Sequence, residues 1–124
     1  MLMIPGGMPG STNLNEHEGV RQALIAQHKA GKRIGAICAA PMVLASTGIL
    51  EGKKATCYPG FEQYFDENTE YTATLFQEDG NVITGEGPAA TLPYAYKILS
   101  YFVSKETVAA LQDGMMYDHL MKSK

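Results

Sequence analysis

The chain has few cysteines, no long apolar run and no concentration of positive charge, and each absence removes a class of protein. Cys38 and Cys57 are the only cysteines in 124 residues. They form no CxxC, no histidines stand at ligand spacing, and two thiols are too few for a disulfide scaffold. Neither a metal nor a cofactor is expected. No apolar stretch approaches the ~20 residues of a membrane span. Met1-Leu2-Met3-Ile4-Pro5 carries no charged region ahead of its apolar residues, unlike a signal peptide. The expectation is a cytoplasmic protein with no membrane partner. A formal net charge of −3 without a basic stripe speaks against nucleic acid as a partner. No linker, repeat or low-complexity segment divides residues 1–124, which read as one compact unit or part of one.

What is present is close to an average globular composition, with 45% hydrophobic and 19% charged positions. Short β-like runs alternate with longer helical periods, the pattern of an α/β domain. Met1–Ile4 reads as a buried strand running into Pro5-Gly6-Gly7-Met8-Pro9-Gly10, a loop. Asn15 and Glu18 stand at capping-box spacing before a helix through Val20, Ala23, Leu24 and Gln27 that stops near Gly31. Arg33–Cys38 is a second strand, and Pro41 opens a helix where its missing N–H costs nothing. Lys54–Tyr58 reads as a strand and Gly60–Glu67 as a short helix. Tyr71–Gln77 and Asn81–Thr84 flank Glu78-Asp79-Gly80, a three-residue hairpin signal. Ala95, Ile98, Leu99, Phe102 and Val103 form a core-facing helical stripe, and Ser104 caps a last helix through Val108 and Leu111.

The segment with the most specific chemistry is Gly35-Ala36-Ile37-Cys38-Ala39-Ala40-Pro41. A buried strand ends on a nucleophile-capable residue and a helix begins at once, with small Ala36 and Ala40 on either side, as in the strand–nucleophile–helix elbow of hydrolases. A thiol there lies at a helix N-terminus, whose partial positive charge favours thiolate. The bland alternative is that Cys38 is a small buried hydrophobe. Gly6 and Gly7 sit at a strand's carboxyl end, where their N–H groups could donate to an oxyanion beside Cys38, or could be a plain turn. Gly85-Glu86-Gly87-Pro88-Ala89-Ala90 fits a loose dinucleotide fingerprint, but no strand follows to carry the ribose-binding acid. His17 and His28 share a helix face about 16 Å apart along its axis, and with His119 they read as solvated. Cys57 reads as core rather than as a thiol that pairs with Cys38. Glu51, Asp66, Glu67, Glu70, Glu78 and Asp79 read as solvated charge, and Met115-Met116-Tyr117 as core or interface.

Three stretches in order, Pro5 to Leu14, the Cys38 elbow, and Lys53-Lys54-Ala55-Thr56-Cys57-Tyr58-Pro59-Gly60, closely resemble the ThiJ/PfpI superfamily, and within it the DJ-one branch. The resemblance runs on through Gly87-Pro88 and the following helix. It implies a flavodoxin-like three-layer α/β/α sandwich of the class I glutamine amidotransferase type. It also implies Cys38 as nucleophile, an oxyanion pocket from the backbone of Gly6, Gly7 and Ala39, and a pocket lined by Tyr58, Gly87 and Pro88. The activities it implies are cofactor-independent glyoxalase or deglycase chemistry on 2-oxoaldehydes and glycated groups, with a role in the stress response and usually as a homodimer. The alternatives are a redox sensor or chaperone built on an oxidisable cysteine, and an inactive fragment. Ala39 stands where the protease-like branch has a histidine, so a peptidase is disfavoured.

Three departures stand out. The family's first strand, ending in a glutamate that bonds the nucleophile, has no counterpart here, so the domain is expected to be N-terminally truncated. Pairing with a separate N-terminal fragment, or rebuilding of the sheet across a dimer, would answer the same need. Tyr58 replaces a histidine found in some members, and Glu86 replaces an arginine of the human-like ones.

Overall fold

The structure is a computed structural model and describes residues 1–123. Strand β1 (Leu2–Ile4) leads through the glycine loop to helices α1 (Gly10–Glu16) and α2 (Glu18–Lys29). Strand β2 (Ile34–Ile37) and helix α3 (Pro41–Ser46) follow. Next come the two-residue strands β3 (Lys54–Ala55) and β4 (Glu70–Tyr71), then the hairpin of β5 (Phe76–Asp79) and β6 (Val82–Gly85). Helices α4 (Thr91–Leu99), α5 (Lys105–Gly114) and α6 (Tyr117–Lys122) complete the described chain.

The main sheet has the order β1-β2-β6-β5, parallel except for β5. Its period-two alternation feeds two cores. Leu2, Ile4, Ile34, Ala36 and Val82 face Leu24 of α2 and Val43 and Leu44 of α3, while Ile37 and Ile83 face Tyr94 and Ile98 of α4. Helices on both faces of a largely parallel sheet make the three-layer α/β arrangement that the family resemblance implies. β1 stands at the sheet edge, with Met3 54% exposed and a cleft of about 300 Å³ running beside it past Ile37 and Tyr94.

Several local expectations are corrected. The cap of α2 is His17, whose Nδ1 accepts from Val20 N–H at 3.2 Å, and not Asn15; a separate helix, α1, already occupies Gly10–Glu16. Asn15 instead accepts from Arg21 at 2.9 Å and bonds Ser46, tying α1 to α3. Strand Lys54–Tyr58 stops at Ala55 because Thr56 N–H turns to the Thr84 hydroxyl, 2.9 Å away, instead of a ladder carbonyl. Tyr71–Gln77 is broken at Ala73, which adopts φ 53°, and the hairpin turns on Gly80 and Asn81 with Glu78 and Asp79 still in register. Residues 61–64 form only a short 3-10 turn. Helix α4 ends at Leu99: Ala95 is exposed, Tyr94 and Ile98 face the sheet, and Phe102 is 62% exposed. The Ser104 cap forms as expected, its hydroxyl accepting from Thr107 N–H at 3.2 Å. Among the acidic residues, Asp79 accepts from Lys54 N–H at 2.8 Å, Asp66 from Asn68 N–H at 2.8 Å, and Glu78 bonds Tyr101. These three are built into the fold.

Thr84 and Thr56 are fully buried, so Thr84→Val leaves the Thr56 N–H without an acceptor at nearly constant volume. The expected cost is about 1–3 kcal/mol in urea unfolding, the range for an orphaned buried donor. A change under a few tenths would mean that water reaches this position.

Candidate active site

The elbow is built by strain at one residue. Cys38 has φ 66°, in the left-handed region that side chains other than glycine rarely adopt. Ile37 O accepts from Ala40 N–H at 3.1 Å, closing a tight turn, and Pro41 starts α3 immediately after. Both backbone groups of Cys38 are held: its N–H donates to Gly85 O and its carbonyl accepts from Tyr58 N–H, each at 2.9 Å. Strain of this kind, typically ~1–3 kcal/mol, persists only where the surroundings fix it, and it concentrates at functional sites. Among the described residues, Cys38 is the one non-glycine of this type that sits on a strand–helix junction in a cleft.

That cleft, about 270 Å³, brings together most of the expected residues but neither Ala39 nor Tyr58. Gly6, Gly7, Cys38, Gly87 and Pro88 all line it, joined by Ile37 and Thr91. Gly6 approaches so closely that a Cβ placed on it would stand 2.5 Å from Cys38 Cβ and 2.7 Å from Ile37 O. Gly7, at φ +93°, turns the chain away. The N–H groups of Gly7 and Ala39 meet no backbone acceptor among the described residues; Gly7 lines the cleft, whereas Ala39 is buried behind it and does not. Tyr58 lies one step away. It lines an adjoining cleft of about 260 Å³ that has Gly87 and Pro88 as shared walls and also includes Glu86 and Leu75.

Thr91, the first residue of α4, belongs to no motif in the sequence, yet it lines the cysteine cleft. Glu62 carried no motif either, yet its carboxylate accepts from Gly60 N–H at 2.6 Å and lies near Cys57. His28 is half-buried and not fully solvated. It contacts the Asn81 amide at 3.3 Å, and desolvation followed by the Lys53 charge lowers its pKa.

Both cysteines are free of any disulfide; Cys38 is half-buried, whereas Cys57 is fully buried. Burial, then the negative charge of Glu62, pushes its thiol up to about 12. The folded value lies above that of an unfolded thiol, ~8.5, so the fold gains by keeping Cys57 neutral. That gain is complete below the unfolded value and is lost as pH rises from there towards 12. Urea midpoints of the protein are expected to decline from about pH 9 upwards, and less steeply in Cys57→Ala. Equal slopes in the two proteins would place the alkaline loss elsewhere.

Comparison with known proteins agrees with this geometry. Residues 1–101 match the DJ-1/PfpI family. The chain is 36% identical over 117 residues to protein dj-1beta of Drosophila melanogaster, covering 94% of this chain and 63% of that one. It is 33% identical over 119 residues to the glutathione-independent glyoxalase DJR-1.2 of Caenorhabditis elegans, covering 90% and 59%. The crystal structure of Drosophila DJ-1beta superposes with a TM-score of 0.87 over 92% of this chain and 62% of that chain, at 36% identity. Oxidized DJ-1 of Toxoplasma gondii superposes with a TM-score of 0.81 over 90% and 60%, at 28% identity. The chain thus spans about three-fifths of the length of these relatives. A match over this much of the chain, with the elbow cysteine and both glycine loops converging on one cleft, settles the assignment: this chain belongs to the DJ-1/PfpI family.

Proposed function

We propose that Cys38 is the nucleophile of a cofactor-independent reaction with small 2-oxoaldehydes. The observation that carries this reading is the strained elbow itself, a residue held at φ 66° whose thiol lines a cleft walled by Gly6, Gly7, Gly87, Ile37, Pro88 and Thr91. The thiolate adds to the aldehyde carbon, and the carbonyl electron pair becomes an alkoxide that the N–H groups of Gly7 and Ala39, which meet no backbone acceptor among the described residues, would stabilise. Protonation gives a hemithioacetal. Passing on to a hydroxyacid requires moving the proton from the former aldehyde carbon to its neighbour, then hydrolysing the thioester. The seven residues lining the cleft contribute no carboxylate or imidazole for that transfer. Adduct formation is therefore the step this chain's own residues support, and turnover is expected to be slow beside it. Methylglyoxal labelled with carbon-13 tests both steps: a hemithioacetal carbon resonance on Cys38 is the expected result, with lactate appearing slowly. No adduct at saturating aldehyde would end the proposal.

A second reading is redox sensing with client holding. It is favoured by the exposed apolar side chains Phe102, Met116 and Leu120 at the C-terminal end. Client holding of that kind survives loss of the thiol, whereas the aldehyde adduct does not.

A further inference from the structure

Beside the cysteine cleft lies a second one whose chemistry has so far gone unused. Its walls are apolar or backbone, from Leu75, Pro59, Gly87 and Pro88, joined by the partly exposed Tyr58 and one charged group, Glu86. Among the described residues the ion pairs are Lys54–Glu70 and Lys97–Glu78, so no cationic side chain answers Glu86. A half-buried carboxylate has lost part of its hydration, and a cation brought alongside restores the balance. Tyr58, 46% exposed, offers an aromatic surface to the same cation. The nearby Glu62 carboxylate adds to the negative field, since it and Glu86 both act on the buried Cys57 thiol.

Gly87 and Pro88 wall both clefts, which therefore adjoin at this loop. We propose that Glu86 is a specificity-determining residue, seating an ammonium or guanidinium group of the substrate against Tyr58 while the electrophilic carbon lies at Cys38. The preferred substrates are then carbonyl compounds with a cation on a short apolar stem, and carbonyl compounds bearing a carboxylate are disfavoured. This rests on Cys38 being the reactive centre, but not on completed turnover.

The test uses three methanethiosulfonates of similar size, carrying an ethylammonium, an ethylsulfonate or a neutral alkyl group. In each the Cys38 thiolate attacks the sulfenyl sulfur, a mixed disulfide forms and methanesulfinate leaves with the bonding pair, with no further reactant. Rates are followed at Cys38 by peptide mass spectrometry and divided by that of the neutral reagent. At low salt the ammonium reagent is expected to outpace the sulfonate by roughly tenfold or more, the effect of one poorly screened charge at short range. Glu86→Gln is expected to remove most of that ratio, and Glu86→Lys to invert it. The Glu86 N–H bond to Leu75 O at 3.0 Å is backbone and stays in both variants. A ratio near one, or a ratio unmoved in Glu86→Gln, overturns the assignment. Methylglyoxal turnover is measured in parallel: a missing turnover with the ratio intact removes the enzymatic reading and supports the cation seat, whereas turnover with a flat ratio removes the seat alone.

Discussion

Cys38→Ser is expected to reduce aldehyde adduct formation by two orders of magnitude or more while the protein unfolds within about 1 kcal/mol of the parent. The size of the first effect follows from acidity: a serine hydroxyl is almost entirely protonated near neutral pH, so the attacking anion disappears. The smallness of the second follows from the site. Serine can take the same φ 66° that cysteine takes, and the two backbone bonds to Gly85 and Tyr58 do not involve the side chain. Carbon-13 adduct signals and urea unfolding read the two quantities separately. Adduct signal persisting in Cys38→Ser would place the nucleophile elsewhere, and a large loss of stability would make Cys38 a packing residue.

Gly6→Ala is expected to be the most damaging single-methyl change in the site. The added carbon would lie 2.5 Å from Cys38 Cβ and 2.7 Å from Ile37 O, neither of which is the free end of a flexible chain. The glycine loop must therefore back away from the elbow, at about 1–3 kcal/mol, the usual cost of overpacking. The retreat carries the Gly7 N–H with it, so adduct formation falls as well as stability. Gly7→Ala is the control. Nothing among the described residues stands within 4 Å of its added carbon, and the backbone strain of φ +93° opposes it by about 1–2 kcal/mol. Thermal unfolding combined with Cys38 labelling ranks the pair; Gly7→Ala proving the worse in both would mean that the close approach of Gly6 is not what sets the site.

The elbow was legible because three local signals agree there: a buried apolar strand, small flanking residues, and proline at the first turn of α3. The glycine loops were legible for the same reason, since their backbone demands are visible in residue type. Elsewhere a tertiary contact outweighed a local signal. Asn15 has the better capping chemistry than His17, but Arg21 and Ser46 claim its amide, and α1 forms from glycine, serine, threonine and asparagine because it packs on α3. The stripe from Ala95 to Val103 is periodic on paper. In the fold, Ser100 bonds back to Lys97 O at 2.5 Å, and Tyr101 is fixed by Glu78 and by Arg33 lying 3.7 Å from its ring centre, so the helix stops short of Phe102. Glu86 was legible as a departure from a family pattern. That it shares walls with the cysteine cleft depends on how the loop after β6 folds beside Tyr58, and no local pattern encodes that.

The most direct test of the central claim is the rate of iodoacetamide labelling of the native protein near neutral pH, resolved by peptide mass spectrometry into Cys38 and Cys57, with and without methylglyoxal. Cys38 opens on a cleft, whereas Cys57 is fully buried with its thiol pushed up to about 12. The account predicts that Cys38 labels quickly, that methylglyoxal slows it, and that Cys57 labels only as the protein unfolds. Equal labelling of the two thiols, or Cys38 labelling that methylglyoxal leaves unchanged, would contradict the assignment of Cys38 as the reactive centre.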